Sequence, residues 1–142
     1  MILLDTNVLS ALMRRESDPA VVSWLDDQPA ESIWTTAITV FEIRFGLEIL
    51  ARGRRRRLLE DAFAKALEED FEGRVLPFDQ MSASAAAAIA AKQRSAGRPV
   101  EIRDVQIAGI ASARKAALAT RNTRHFVDFG IPLVNPWSIS RR

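Results

Sequence analysis

The sequence predicts an α/β fold: a parallel, mostly five-stranded sheet flanked by helices. Two observations support this. Short apolar runs typical of buried strands alternate along the chain with longer segments of helical periodicity. Glycine, proline and aspartate stand at the boundaries between the two kinds of segment. The predicted strands are residues 2–4, 32–36, 74–78, 117–120 and 131–134.

Local signals define the helices between these strands. Asp18 followed by Pro19 is typical of an N-cap and first helical residue, and Asp79 can cap the alanine-rich helix. Thr6 and Asn7 are predicted to form a turn after the first strand. The predicted helices begin at residues 8, 19, 39, 54, 80 and 104 and end near residues 13, 25, 51, 71, 95 and 115.

Length and composition restrict the class of protein. The chain has 142 residues, 48% of them hydrophobic, so we expect one domain spanning 1–142. It has no cysteine and a single histidine, His125, which excludes disulfides, cysteine-ligated zinc and a multi-histidine metal site within one chain. No segment has the features of a signal peptide or the roughly 20 apolar residues of a membrane helix. We therefore expect a soluble, cytoplasmic protein with no membrane partner.

Charge is distributed unevenly along the chain. Residues 1–91 contain 10 basic and 15 acidic side chains, whereas residues 92–142 contain 10 basic and 3 acidic ones. Such asymmetry indicates either a polyanionic partner for the C-terminal part or two segments that intermix on folding and leave no patch.

Two polar residues follow predicted strands at the same edge of the sheet. Asp5 ends the first strand and Asn122 follows the fourth. Ligands of open α/β sheets bind at the carboxyl ends of the strands. Each residue also has a simpler interpretation, since Asp5 can cap the next helix and Asn122 can serve a turn.

Glu42 lies on the predicted third helix. Its apolar neighbours on the same helical face are Ile38, four positions before it, Phe45 and Gly46, three and four positions after it, and Ile49, seven positions after it. This spacing predicts a carboxylate within a core-facing apolar stripe. A buried carboxylate needs a charge partner, which is either a metal ion or a buried arginine.

Asp104 is predicted to open an apolar helix. It is a candidate ligand or a helix cap, and spacing alone does not distinguish it from the nearby charges of Glu101 and Arg103. Together with Asp5 and Glu42 it would supply hard oxygen ligands, which suit Mg²⁺ or Mn²⁺ better than zinc. Metal-assisted phosphodiester cleavage uses such a cluster.

Four segments carry a family resemblance: "ILLDTNVLS" at the N-terminus, then "TTAITVFEIRFGL", "RDVQIAGIASARKAALATRNTRHF" and a closing "NPW". In combination, and over essentially the whole chain, they resemble the VapC-type PIN-domain ribonucleases, in particular the FitB-like group. These proteins are the toxins of type II toxin–antitoxin pairs.

The resemblance implies functions for particular residues. The metal-binding carboxylates would be Asp5, Glu42 and Asp104. Asn122 stands where the family often has a fourth acid, which puts a second metal site in doubt. Thr6 and Thr120 match hydroxyl positions that support the site.

The resemblance also implies partners. These are an RNA substrate, a VapB-like antitoxin that binds promoter DNA, so that the toxin reaches DNA only indirectly, and a second copy of the chain in a homodimer or larger assembly. Basic side chains of the C-terminal third are candidates for steering the RNA backbone: Arg98, Arg103, Arg121 and Arg124. The arginine run at residues 54–57 is interpreted as a salt-bridged helical face.

Two other functions are considered. One is a PIN module that binds nucleic acid or its antitoxin without cleavage, because Asn122 replaces an acid. The other is a phosphohydrolase with Asp5 as nucleophile. Many such enzymes have a second aspartate two residues later, and Asn7 occupies that position here.

Overall fold

The computed structural model describes residues 1–14 and 16–138. Five parallel strands form one sheet in the order β3-β2-β1-β4-β5. The strands are β1 (Ile2–Leu4), β2 (Ile33–Thr36), β3 (Val75–Leu76), β4 (Ala117–Ala119) and β5 (Leu133–Val134). The predicted fold class is confirmed.

Helices connect the strands, as parallel pairing requires. They are α1 (Thr6–Met13), α2 (Pro19–Asp26), α3 (Ala37–Glu48), α4 (Arg54–Lys65), α5 (Gln80–Ser95) and α6 (Ile102–Arg114). A π-helical segment (Ala66–Asp70) extends α4, and short 3₁₀ turns occur at Ala30–Ser32 and Thr123–His125. Asp18 and Asp79 cap α2 and α5 through their side chains, as predicted. Within the described residues, no helix is long and apolar enough to cross a membrane.

The hydrophobic core lies on both faces of the sheet. Successive strand residues point to opposite faces, so the fully buried Leu3 and Leu4 of β1 belong to different clusters. Leu4 packs in a cluster with residues of α1 to α4, including Val8 and Phe63. Leu3 packs in a second cluster, mainly with α6 and β4. Burial on both sides explains why the strands are continuous apolar runs.

Helix α6 lies close to α5. A Cβ atom added to Gly109 would lie 2.5 Å from the Ser82 carbonyl oxygen and 2.6 Å from the Cβ of Ala86. Glycine is therefore required here by the close approach of the two helices, which fixes the position of α6 against the rest of the chain.

Two sequence-based expectations about helix starts are wrong. Thr6 and Asn7 are the first helical residues of α1 rather than a separate turn. Helix α6 begins at Ile102 with Glu101 in the N-cap position, so Asp104 is not a cap but lies in the first turn.

The expectation that Glu42 lies in the core-facing stripe of α3 is also wrong. The buried residues of this helix are Thr39, Ile43 and Leu47. Phe45 is 51% exposed and Ile49 is 70% exposed. Phe45 and Ile49 therefore lie on an outer face of α3, while Ile38 packs against the core cluster that contains Leu3.

Candidate metal centre

The candidate centre is built around Asp5, at the carboxyl end of β1. Its side chain accepts hydrogen bonds on both oxygens. Oδ1 accepts from the Thr6 backbone N–H at 2.8 Å, and Oδ2 accepts from Thr120 Oγ1 at 2.8 Å. Asp5 thus caps α1 with one oxygen and is tied to β4 through the other. The capping interpretation and the site interpretation are compatible.

Thr120 and Asn7 complete this network. Thr120 is fully buried, and its hydroxyl oxygen also accepts from the Asn122 backbone N–H at 3.1 Å. The Asn7 amide nitrogen lies 3.4 Å from Asp5 Oδ2 and 3.3 Å from Thr120 Oγ1, and the Asn7 amide oxygen accepts from the Arg121 backbone N–H at 2.9 Å. Sequence analysis assigned Asn7 no role in a metal site. Its position two residues after a strand-end aspartate was the available signal.

Glu42 projects from the second turn of α3, which follows β2 directly. Its side chain is 21% exposed, and Oε2 lies 3.6 Å from Arg103 Nη1. Burial raises the pKa of Glu42, and the nearby charge of Asp5 raises this pKa further. The Arg103 guanidinium opposes this shift without cancelling it.

Asp104 faces the same region from the first turn of α6. Its side chain is 21% exposed, and Oδ2 lies 3.4 Å from His125 Nδ1. Burial raises the pKa of Asp104; His125 lowers this pKa and the charge of Asp5 raises it. Glu101 is exposed at the N-cap of α6.

The carboxylates influence one another's ionisation. Burial raises the pKa of Asp5 more than hydrogen bonds from Thr120 and Thr6 lower it. Asp5 and Asp104 both raise the pKa of Glu42. Asp79, a helix cap elsewhere, shows the opposite behaviour, since hydrogen bonds from Ser82 lower its pKa. Three acids face one region and each has a raised pKa, so their ionised forms would be stabilised by a nearby cation.

The donor chemistry fits a divalent ion. Carboxylate oxygens are hard ligands suited to Mg²⁺ or Mn²⁺. The Thr6 hydroxyl oxygen, next to Asp5 in sequence, is buried close enough to Glu42 to lower the pKa of that carboxyl, and no well-aligned hydrogen bond to it occurs among the described residues. Across residues 1–14 and 16–138, no three acidic or histidine side chains already lie close enough to hold an ion. Glu42 and Asp104 have Arg103 and His125 as their nearest cations.

A groove runs past these side chains and gathers basic residues. Its lining includes Glu42, Arg98, Arg103, Asp104, Asn122, Arg124 and His125. Arg98 forms an ion pair with Asp128 at 2.7 Å. Arg121 instead places its guanidinium 4.8 Å from the centre of the Trp137 ring. Three of the four arginines that charge alone suggested therefore line the groove, and the fourth lies beside Asn122.

Asn122 is exposed at this groove, directly after Arg121.

The arginine run at residues 54–57 lies on α4, away from this groove. Its predicted salt bridging is confirmed at Arg56, which pairs with Glu60 at 2.7 Å and Glu48 at 3.1 Å.

The sheet is entirely parallel, and acidic side chains lie at the carboxyl ends of its strands. Comparison with known protein families identifies the class of α/β protein to which this arrangement belongs. The PIN domain family model matches residues 2–131, so the chain belongs to the PIN-domain family. The chain is 39% identical over 137 residues to a VapC ribonuclease of Sinorhizobium fredii, and the alignment covers 96% of this chain and 98% of the relative.

A second relative and a solved structure are also similar to this chain over almost its whole length. The chain is 36% identical to the toxin FitB of Neisseria gonorrhoeae, with 96% of this chain and 99% of the relative covered. The crystal structure of FitAcB from Neisseria gonorrhoeae superposes with a TM-score of 0.89 at 35% identity, covering 98% of this chain and 100% of that chain. The resemblance inferred from the sequence motifs is confirmed.

Proposed function

We propose that this protein is a divalent-metal-dependent endoribonuclease and the toxin of a type II toxin–antitoxin pair. The observation that carries the proposal is the gathering of Asp5, Glu42 and Asp104 beside a groove that contains arginines. Membership of the PIN-domain family and similarity to a VapC ribonuclease and to the toxin FitB support the same function.

In this mechanism Asp5, Glu42 and Asp104 would hold Mg²⁺ or Mn²⁺. When bound, such an ion lowers the pKa of a coordinated water and neutralises the scissile phosphate. Thr120 and the Thr6 N–H orient the Asp5 carboxylate. Asn122 offers an amide oxygen at the groove but adds no charge.

Basic side chains of the protein would bind the RNA substrate. Arg98, Arg103 and Arg124 line the groove and would contact backbone phosphates of single-stranded or looped RNA. Arg103 and His125, now next to carboxylates, would face the substrate once the acids are occupied by metal.

Two apolar surfaces support the proposed partners. One is a groove between α1, α2 and α4, where Leu12, Met13 and Leu25 form an apolar floor beside charged side chains that include Lys65 and Glu69. It fits an apolar segment of a VapB-like antitoxin, which would carry the promoter-DNA contacts. The other is the outer face of α3, where Phe41 and Phe45 stack with ring centres 6.1 Å apart. It fits a second copy of the chain.

Expression of the chain without an antitoxin, followed by sequencing of RNA ends, tests the function. We expect slowed growth and discrete new RNA ends. Asp5→Asn and Asp104→Asn should abolish both while the proteins stay folded, because each removes a hard anionic ligand. Asp61→Asn, at an exposed position on α4, is the matched control and should behave as the wild type.

In vitro, the purified protein should cleave RNA in the presence of Mg²⁺ or Mn²⁺, and cleavage should stop when EDTA is added. Full cleavage by both aspartate variants would refute the metal-site assignment. Binding of RNA without cleavage, at any Mn²⁺ concentration, would instead favour the binding-only module suggested by Asn122.

A further inference from the structure

Asn7 occupies a junction between the first and fourth strands. It lies in the first turn of α1, half-buried, and its side chain reaches three groups from two elements. These are the Asp5 carboxylate, the Thr120 hydroxyl and the Arg121 backbone N–H. Thr120 and Arg121 come directly after β4, more than a hundred residues from Asn7 in the chain.

The pattern of bonds requires an amide. The Arg121 N–H can only donate, so the acceptor facing it must be Asn7 Oδ1. The Asn7 NH₂ group therefore faces Asp5 Oδ2 and Thr120 Oγ1, which can both accept. An aspartate would lose the donor and place a like charge beside Asp5, and an alkyl side chain would leave both sides unpaired.

Two parts of the site depend on these contacts. Asp5 Oδ2 accepts from Asn7 and Thr120 together, which fixes the rotation of the carboxylate. The backbone N–H groups of Arg121 and Asn122 are held by Asn7 and Thr120, which fixes the loop that brings Asn122 to the groove. One amide thus couples the central carboxylate to the loop on the opposite side of the site.

We propose that Asn7 is a positioning residue of the metal centre, which sets the orientation of Asp5 and the path of the Arg121–Asn122 loop. This inference rests on the proposed function. Groups that orient metal ligands typically change metal affinity or activity by about 10- to 100-fold when removed.

The test is isothermal titration of Mn²⁺ into the purified full chain, with thermal unfolding in EDTA and steady-state RNA cleavage measured on the same samples. Asn7→Ala should weaken Mn²⁺ binding by about 10-fold or more. Asn7→Ser keeps a small polar residue in the first helical turn and should show the same loss. Gln28→Ala is the matched control, since Gln28 is half-buried and its amide donates to the Trp24 carbonyl away from the site.

A double variant separates positioning from general stability. Thr120→Val removes the hydroxyl that Asn7 and Asp5 share, so the effects of Asn7→Ala and Thr120→Val on Mn²⁺ affinity should be less than additive. A lower melting temperature with unchanged Mn²⁺ affinity in both Asn7 variants, or strictly additive effects, would overturn the proposal. If the wild type binds Mn²⁺ and cleaves RNA while the Asn7 variants do so equally well, only this inference fails. If the wild type does neither, the proposed function fails and takes this inference with it.

Discussion

Helices α3 and α6 each contribute one carboxylate to the candidate centre, but the chain holds them differently. Helix α6 is buried along most of its length, through Val105, Ile107, Ala108, Gly109, Ile110 and Ala111. Helix α3 buries Thr39, Ile43 and Leu47, while Phe41 and Phe45 remain 57% and 51% exposed. Asp104 is therefore positioned by its own chain, whereas Glu42 stands on a helix that is covered on one side.

The difference indicates how the site is completed. Exposed, stacked aromatic side chains are costly to leave in water and are typical of protein interfaces. If a second copy covers α3, the association that buries Phe41 and Phe45 also steadies Glu42. One ligand of the centre would then depend on the homodimer, and the other would not.

The largest expected change in stability comes from a substitution that disturbs the packing of α6 against α5. Gly109→Val would force a branched side chain against the Ser82 carbonyl and Ala86, so we expect a loss of about 1–3 kcal/mol in the free energy of unfolding. Denaturant unfolding measures this loss. Gly46→Ala on α3 is the control, because a Cβ there meets nothing within 4 Å, and it should be neutral or stabilising by up to about 1 kcal/mol. Equal losses for the two variants would contradict the difference between the helices.

Next, Phe45→Glu should separate the copies of the chain. A charge replaces an aromatic ring in the centre of the exposed α3 face, so light scattering should show monomers where the wild type is dimeric. Met81→Glu, at a position 67% exposed on α5, should leave the assembly unchanged. A wild-type monomer, or a dimer that persists in Phe45→Glu, would remove the proposed role for this face.

A smaller effect is expected for Glu42→Gln without metal. Because burial raises the pKa of Glu42, its charged form costs stability, and this cost is present above that pKa and disappears as the pH falls through it. In EDTA at pH 8 the variant should be more stable by up to about 1 kcal/mol, with the difference vanishing near pH 4. Thermal melts at both pH values measure this. A variant less stable at pH 8 would mean that the Arg103 ion pair outweighs the burial cost.

The sequence predicted the sheet and most helix boundaries because local signals dominate there. Asp18 and Asp79 cap helices as short-range patterns predict, and Asp5 follows a strand whose apolar composition predicts its burial. The burial of α3 was predicted wrongly, since an apolar stripe has the same periodicity whether it faces the core or another chain. Asn7 was missed because its function depends on Thr120 and Arg121, which only the tertiary fold brings near.

Asn122→Asp should have the smallest effect. It adds a charge of nearly the same shape at the groove, beside a centre with three acids. Asn122 is exposed, and solvent screens the new charge, so we expect a gain of about 1 kcal/mol or less in metal binding, which is roughly fivefold in affinity. Asn135→Asp provides the control for an added charge near the same edge of the sheet. Titration with Mn²⁺ measures both variants. A tighter or second binding event in Asn122→Asp alone would mean that this loop reaches the metal. Unchanged affinity and stoichiometry would place Asn122 outside the ligand shell, and Asp104 on the buried helix α6 would then be the candidate ligand on this side of the groove.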